Sequence, residues 1–457
     1  MLGLSADRRG RKAVPLTPVG QAAWSRFART LGARQQRWAG ASGFTGQPGA
    51  FCLLPDARGA TARVVCGIDP ASPPFALGGL PYRLPADDYR LDGDALAPHA
   101  AALGWALGSY RFARYRTPQA EPARLLLPRG VLADIAPTVA AVTRVRDLIN
   151  TPAQDLGPAE VCAAVRTVAA SHGAKCREWS GEGLLQAGFP TVHAVGRASP
   201  RAPRVIELRW GSPKHPRLAI VGKGVCFDTG GLNLKTGDGM RWMKKDMGGA
   251  AHALALAELV MASRLPVHLQ LVVPTVDNVV AGDAMRPGDV IRTRAGTTVE
   301  VDNTDAEGRL ILCDALALAV EGKPDLLIDF ATLTGAARVA LGPDLPALFG
   351  NRDDVADALL EASRAQHDPV WRLPLWQPYR TLLASSLADT CNTGASRHAG
   401  AITAALYLQN FVPASVAWLH VDVYAWNDAE RPGRPRGGDA QSLRAFHAFL
   451  RQRYARA

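Results

Sequence analysis

The chain has 457 residues, of which 47% are hydrophobic and 20% charged, and its formal net charge is +11. This composition supplies a large apolar core and excludes a mainly disordered chain. The chain contains no uninterrupted apolar run near the ~20 residues that a membrane-spanning helix needs, so we expect no membrane partner. The first residues also lack the long apolar stretch of a secretory signal.

The cysteines and the positive charge narrow the functional class further. The seven cysteines are scattered and contain no C-x-x-C pair. This pattern argues against a zinc knuckle or a disulfide scaffold and favours reduced thiols in a cytoplasm. The basic residues are dispersed apart from residues 8–12. We therefore favour a charge spread over a large surface and keep DNA binding only as an added role.

In chain order, the first elements predict a small α/β domain with no cluster of chemistry-bearing residues. The predicted elements are strands at 50–54, 62–66 and 125–127 and a helix at 99–115. A helix over 133–150 follows and is broken by Asn150-Thr151-Pro152. The expected organisation is an N-terminal domain over 1–132, a linker helix over 133–152 and a larger domain over 153–457 that carries the chemistry.

The rest of the chain alternates apolar strands with helices. The predicted strands are 205–209, 217–221, 267–273, 326–330 and 416–422, and the predicted helices are 249–264, 309–321, 355–366, 401–411 and 439–453. This alternation predicts an α/β fold whose central sheet is mixed, largely parallel and flanked by helices. Ligands of such sheets bind at the carboxyl ends of the strands.

Acids and lysines follow these strands or open the next helices. They are Asp228, Asp246, Asp305, Glu307, Lys223 and Lys235. Asp305 and Glu307 are two apart, so an extended backbone would project both to one side. Paired carboxylates repel unless a cation joins them or one is protonated. The set suits Mg²⁺, Mn²⁺ or Zn²⁺, and its charge would support two ions.

Other interpretations of the same residues stay open. The glycines around Lys223 could form a phosphate loop, although the pattern G-x-x-x-x-G-K-[ST] is absent. Each acid alone could cap a helix or favour its N-terminus electrostatically. The motifs H-E-x-x-H and G-x-S-x-G are absent, which argues against two common hydrolase types. Cys226 and Cys313 have no catalytic signature, and we expect them to pack beside the site.

The stretch Asn303-Thr-Asp-Ala-Glu-Gly-Arg-Leu310 resembles the signature of the leucyl aminopeptidase family, the cytosol aminopeptidases with two metals. Agreement continues in Val221-Gly-Lys-Gly, Phe227-Asp-Thr-Gly-Gly231, Leu234-Lys235, Asp246-Met-Gly-Gly-Ala-Ala251, Arg286-Pro-Gly-Asp289, Ala331-Thr-Leu-Thr-Gly-Ala336 and Ala399-Gly-Ala-Ile-Thr-Ala-Ala405. The resemblance extends approximately over residues 140–450 and is loose before them, where the family has a variable α/β domain.

The resemblance implies two metal sites that share ligands. Lys223, Asp228, Asp246 and Glu307 would hold the tighter ion, with Lys223 coordinating as a neutral amine. Asp228, Asp305 and Glu307 would hold the more exchangeable ion. Asp228 and Glu307 would therefore bridge the two. The expected ions are Mn²⁺ or Zn²⁺, with Mg²⁺ as an alternative.

The resemblance also implies the groups that act on the substrate. Lys235 matches the lysine that polarises the scissile carbonyl, and Arg309 matches the arginine that holds a bicarbonate ion as general base. Met243 and Thr332 match positions that line the pocket for the first side chain, and Leu333 matches a backbone contact. The implied activity is metal-dependent removal of the N-terminal residue, leucine-like or otherwise apolar, from short peptides with a free amine.

The family further implies a homohexamer, a dimer of trimers, and some members also bind DNA. Several residues depart from the family pattern, among them Gln154, which stands where the family often has Asn. Asp302 precedes the signature and is expected to add a fifth acid near the metals. Tyr424 and Trp426 stand where smaller residues are usual, and we expect them to narrow or reshape the specificity pocket.

Overall fold

A computed structural model describes residues 2–8 and 10–454 of the chain; Arg9, from the basic stretch at 8–12, lies outside this description. Contacts divide the chain into two compact units, Met1–Thr143 with Asn427–Gly437, and Arg144–Trp426 with Gly438–Ala457. The boundaries expected near 132 and 152 remain predictions. In the described part of the chain, every helix is too short or too polar to cross a bilayer.

The smaller unit contains a sheet with the order β1-β6-β5-β2-β4-β3, in which all pairs are parallel except β3 with β4. Its elements are β1 (Leu4–Ala6), β2 (Val14–Gly20), α1 (Trp24–Ala28), α2 (Ala33–Ala41), β3 (Phe51–Pro55), β4 (Thr61–Ile68), β5 (Asp88–Leu91), α3 (Pro98–Gly108) and β6 (Arg124–Leu127). Trp105 of α3 and Tyr89 of β5 are fully buried against the sheet.

Helix α3 is shorter than the helix predicted at 99–115. Ser109 ends it, because its backbone N–H bonds to the carbonyls of Trp105 and Ala106 and its hydroxyl donates to Trp105 O at 2.8 Å. These bonds satisfy carbonyls of the last turn that would otherwise lack a donor. The next helix, α4 (Arg129–Asn150), begins four residues before the predicted start at 133.

The remaining elements belong to the larger unit, except that β19 and β20 each cross a boundary between the two units. They are α5 (Pro158–His172), β7 (Lys175–Ser180), α6 (Gly183–Gln186), α7 (Pro190–Gly196), β8 (Arg204–Trp210), β9 (Arg217–Gly222), β10 (Gly224–Asp228), α8 (Gly237–Met240), α9 (Gly248–Ala262), β11 (His268–Asn278), β12 (Val290–Arg292), β13 (Thr298–Glu300), α10 (Glu307–Glu321), β14 (Leu326–Ala331), α11 (Gly335–Leu341), β15 (Ala347–Gly350), α12 (Asp353–Ala365), β16 (Trp371–Arg372), β17 (Thr390–Cys391), α13 (Gly400–Gln409), β18 (Ala417–Asp422), β19 (Trp426–Asn427), β20 (Gly437–Gly438) and α14 (Leu443–Tyr454).

The central sheet has the order β16-β15-β18-β14-β9-β11-β8-β7, and β10 also pairs with β11. Strands β18, β14, β9 and β11 run parallel. Strand β8 pairs antiparallel with both β11 and β7, and β15 pairs antiparallel with β18 and parallel with β16. The predicted mixed, largely parallel sheet is therefore confirmed. Strand β11 is longer than the predicted strand at 267–273, because its second half, from Thr275 to Asn278, pairs with β10.

Helix α9 packs tightly on the sheet beneath the candidate site. A Cβ atom at Gly249 would lie only 2.3 Å from the carbonyl oxygen of Phe330 on β14. Glycine is therefore required at the point where this helix begins, since a backbone oxygen at that distance leaves no room for a side chain. The residues of α9 are almost all buried, consistent with its Ala- and Leu-rich sequence.

Candidate active site

The ends of neighbouring strands bring the candidate residues to one edge of the central sheet. Lys223 follows β9, Asp228 ends β10, Thr332 follows β14, and Asp422 ends β18. The carboxyl ends of parallel strands share one edge, which is where such sheets bind ligands. A cavity of about 740 Å³ opens at this edge.

Three carboxylates converge in this cavity. One oxygen from each of Asp228, Asp305 and Glu307 lies within 4.8 Å of the other two. The extended segment expected for 305–307 is wrong, since Asp305 lies in a turn and Glu307 opens α10. The turn and the helix start still bring the two carboxylates together, and Asp246 joins them through Lys223.

Two lysines neutralise part of this negative charge. The Nζ atom of Lys223 is 2.8 Å from Asp246 Oδ2 and 3.0 Å from Glu307 Oε1. The Nζ atom of Lys235 is 2.8 Å from Asp228 Oδ2 and also pairs with Asp305. Although burial opposes the charge of each lysine, these carboxylates raise the pKa of both amines.

The charges in this cluster fit divalent cations. Four carboxylates against two ammonium groups leave an excess of negative charge in a buried site. Burial and the neighbouring Asp228 carboxylate raise the pKa of Glu307 to about 8 and that of Asp305 to about 6. Glu307 Oε2 is buried and accepts no hydrogen bond from any residue that the structure describes. Convergent, under-satisfied carboxylate oxygens are ligands that Mg²⁺, Mn²⁺ and Zn²⁺ accept.

Glu307 gives a testable pH dependence in the metal-free protein. Its pKa of about 8 in the folded state lies above the ordinary value of 4.5, so folding favours the protonated form. The stabilisation is complete below pH 4.5 and is lost as the pH rises through 8. We expect the unfolding midpoint of wild type in chelator to fall relative to that of Glu307→Gln between pH 5 and 8.5. A constant difference between the two melting curves would contradict this.

A layer of polar side chains that sequence reasoning missed positions the ligands. Asn278 donates to Asp228 Oδ1 at 2.8 Å, and Thr304 donates to Gly230 O at 2.6 Å. Asn392 accepts from Asp302 N at 2.9 Å and donates to Asn303 O at 2.8 Å. These bonds fix the loops that present the carboxylates. Their only sequence signal is a concentration of Asn and Thr in the loops after strands.

Gly308 is fixed by the same packing. A Cβ atom at this position would lie 2.6 Å from Cε of Lys223, so a side chain here would push the lysine stem away from Asp246 and Glu307. Gly308 belongs to the octapeptide signature, yet it contributes no ligand. Its requirement is steric.

The predicted catalytic and pocket residues all line the same cavity. They are Lys235, Arg309, Met243, Thr332 and Leu333. Arg309 donates from Nη1 to Asn392 O at 2.6 Å, and burial lowers the pKa of its guanidinium. Thr332 donates to the backbone oxygen of Asp246 at 2.9 Å, which ties the pocket wall to a candidate ligand.

Three of the departures from the family pattern, Asp302, Tyr424 and Trp426, occupy different surroundings. Asp302 is exposed and accepts a hydrogen bond from Thr393 at 2.5 Å, so it does not join the carboxylate cluster as expected. Tyr424 lines the cavity. Trp426 instead is buried behind it, with its ring 4.9 Å from that of Trp242.

Two buried cysteines and one further lysine remain to be described. Burial raises the pKa of the Cys226 and Cys313 thiols, so neither is a ready nucleophile. Lys245 was not singled out as a site residue, yet it lines the cavity and exposes only 6% of its surface. Burial lowers its pKa to about 8. The crowding of four of the eight lysines into 223–245 was the signal that could have marked it.

Comparison with known families decides the class of this site. The profile of the cytosol aminopeptidase family, catalytic domain, matches residues 143–446, well over half of the chain. The chain belongs to the cytosol aminopeptidase family. A second profile, the M17 aminopeptidase N-terminal domain, matches residues 14–128. The resemblance seen in the octapeptide is thus confirmed.

Individual relatives of this cytosol aminopeptidase family member agree. A probable cytosol aminopeptidase from Syntrophotalea carbinolica is 41% identical over 368 residues, which cover 76% of this chain and 74% of that one. The crystal structure of the cytosol aminopeptidase from Coxiella burnetii matches with a TM-score of 0.95 and 47% identity over 99% of both chains. The bottromycin maturation enzyme BotP, solved in complex with Mn, matches with a TM-score of 0.87 and 34% identity over 96% of this chain and 99% of that one. The chain is an enzyme of the aminopeptidase type, a hydrolase.

Proposed function

We propose that this chain is a metal-dependent aminopeptidase that removes the N-terminal residue from short peptides with a free amine, using two divalent cations. The observation that carries the proposal is the convergence of Asp228, Asp305 and Glu307 within 4.8 Å in a buried, net-negative cavity. The manganese complex of BotP, a protein of the same fold, supports the choice of a divalent cation.

The two cations would share ligands in the way that the resemblance implies. The proposed sets are Lys223, Asp228, Asp246 and Glu307 for one ion and Asp228, Asp305 and Glu307 for the other. Bound there, the cations would supply the Lewis acidity that polarises the scissile carbonyl and acidifies a water molecule. Lys223 and Lys235 neutralise the carboxylates in this structure. The cations would take over part of this neutralisation.

The residues of the chain would supply the remaining chemistry. Lys235 reaches the carboxylate cluster from the cavity side, so its ammonium can donate a hydrogen bond to the oxygen that gains charge during attack. We propose Arg309 as the anchor for a bicarbonate ion, in the general-base role that the resemblance implies. Met243, Thr332 and Leu333 would hold the first residue of the peptide, since they line the same cavity.

Metal removal and return test this proposal. Stripped with a chelator, the enzyme should lose hydrolysis of Leu-, Ala-, Phe- and Arg-led dipeptides, and Mn²⁺, Zn²⁺ or Mg²⁺ added separately should restore it. N-acetylated forms of the same peptides provide the control, because they lack the free amine that the proposal requires. Return of activity with a metal, on free amines only, is the expected result.

Failure of every metal to restore cleavage of any peptide would overturn the proposal, and so would equal cleavage of the N-acetylated peptides. The ranking of the first residues measures the leucine-like or other apolar preference, which rests on the resemblance alone. We choose Mn²⁺ and Zn²⁺ as the leading ions and Mg²⁺ as the third candidate.

Three further properties also rest on the resemblance. We propose a homohexamer, arranged as a dimer of trimers, and a cytoplasmic location, with sedimentation velocity as the measurement of the first. For DNA binding, the chain itself adds only its net charge of +11 to what the resemblance implies. We keep it as an untested added role, which a salt-dependent binding assay would detect.

A further inference from the structure

We propose that the cavity contains a carboxylate-binding subsite, formed by Lys245 and Arg338, which both contact the Tyr424 ring, and that this subsite accepts an acidic first side chain of the peptide. This inference rests on the proposed aminopeptidase function. It predicts that kcat/KM is higher for peptides led by Glu or Asp than for the matching peptides led by Gln or Asn.

The first observation is a buried cation that forms no ion pair among the described residues. Lys245 exposes only 6% of its surface and lines the cavity. Its Nζ lies 4.7 Å from the centroid of the Tyr424 ring. Within the described ranges 2–8 and 10–454, no carboxylate pairs with this ammonium and no group accepts a hydrogen bond from it. A buried ammonium is costly unless paired, so such a group calls for an anion.

A second cation faces the same ring independently. The Cζ atom of Arg338, on α11, is 4.9 Å from the Tyr424 centroid, and this side chain also lines the cavity. Arg338, like Lys245, has no ion pair with a carboxylate among the residues that the structure describes. Two positive charges beside one aromatic ring repel each other. An anion that contacts both cations would relieve that repulsion.

The two acids near Lys245 bind other groups. Asp422, at the end of β18, accepts from Leu333 N at 2.9 Å and from the Thr334 hydroxyl at 2.6 Å. Asp246, the next residue in the chain, pairs with Lys223. Neither of these two carboxylates forms an ion pair with Lys245 in the part of the chain that the structure describes. The position of the subsite identifies the first side chain as its ligand, because Lys245 lies two residues from Met243 and lines one cavity with Thr332, the two residues proposed to hold that side chain.

The test compares charged and neutral side chains of the same shape. Dipeptides led by Glu, Gln, Asp, Asn and Leu are used with amidated C-termini, so that the side chain carries the only carboxylate. We expect wild type to show a higher kcat/KM for Glu than for Gln by about 10- to 100-fold, the effect of a charge-assisted hydrogen bond. Lys245→Met and Arg338→Met should each lower this ratio about tenfold or more and leave Leu-led turnover much less affected.

Two further variants provide a control and an alternative test of the subsite. Lys214→Met, at an exposed loop position, should leave the Glu/Gln ratio unchanged. If Lys245→Met fails to fold, Arg338→Glu at its exposed position on α11 still tests the subsite, and it should shift preference from Glu-led toward Lys-led peptides.

Each contrary outcome has a separate meaning. A Glu/Gln ratio of one or less in wild type, with Leu- and Gln-led peptides cleaved, overturns the subsite and leaves the proposed function intact. Equal loss on all peptides in Lys245→Met overturns it in favour of a structural role. A response to Lys245→Met only when the C-terminus is a free carboxylate overturns the assignment to the side chain. Failure on every peptide is a failure of the proposed function.

Discussion

Replacing Glu307 by glutamine is expected to lower kcat/KM for peptide hydrolysis by at least about 1,000-fold. Glu307 is the proposed bridging ligand of both ions, and its Oε1 lies 3.0 Å from Lys223 Nζ, at the centre of the cluster. An amide keeps the shape of the side chain and removes the charge that the cations require. The lost Lewis-acid stabilisation is worth several kcal/mol, and each 1.36 kcal/mol corresponds to a factor of ten in rate.

Glu258→Gln is the matched control for this variant. Glu258 undergoes the same chemical change, on α9, where its Oε2 lies 2.7 Å from Nε of Arg144. It should retain near wild-type turnover with a modest loss of thermal stability. Bound metal should fall in Glu307→Gln and stay unchanged in Glu258→Gln. Wild-type turnover and full metal content in folded Glu307→Gln would refute the two-metal assignment.

Replacing Lys235 by methionine should lower kcat by about 100- to 1,000-fold, the cost of removing one preorganised donor to an oxyanion. Because this hydrogen bond forms only as charge develops, KM should change little. Lys235→Arg should not restore the rate, since a planar guanidinium cannot replace a compact ammonium between Asp228 and Asp305.

The exposed Lys214→Met variant serves as the control for the loss of a lysine. Metal content separates two explanations of a slow Lys235→Met enzyme. Full metal occupancy with low kcat supports a role in the reaction. Loss of metal together with activity would instead show that Lys235 acts by organising Asp228 and Asp305, and our assignment would be wrong.

Much of the fold was predictable because apolar strands and helices alternate regularly. The errors fall where a distant residue sets the boundary of an element. Helix α14 begins at Leu443 and not at the predicted 439, because Ser442 adopts a left-handed backbone and Asp368 caps the helix. Asp368 accepts from Ser442 N at 3.1 Å and from Arg444 N at 2.8 Å. No local pattern reveals a cap supplied from so far away in the chain.

The candidate site divides in a similar way. The carboxylates and lysines were predictable because chemistry restricts which residue types can occupy those loops. The polar layer around Asn278 and Asn392 was not predictable, since amides in loops are common and their partners depend on the fold. Lys245 was missed for a related reason. Lys245 is significant because it is buried and forms no ion pair among the described residues, and the sequence alone does not reveal burial.

The close fit between Gly308 and the stem of Lys223 links two positions that are 85 residues apart. A side chain at 308 would displace the end of Lys223, and the displaced amine would lose its contacts with Asp246 and Glu307. A substitution at either position alone would disturb the carboxylate cluster. The glycine should therefore be retained as strictly as the ligands themselves, and the two sites should vary together or not at all.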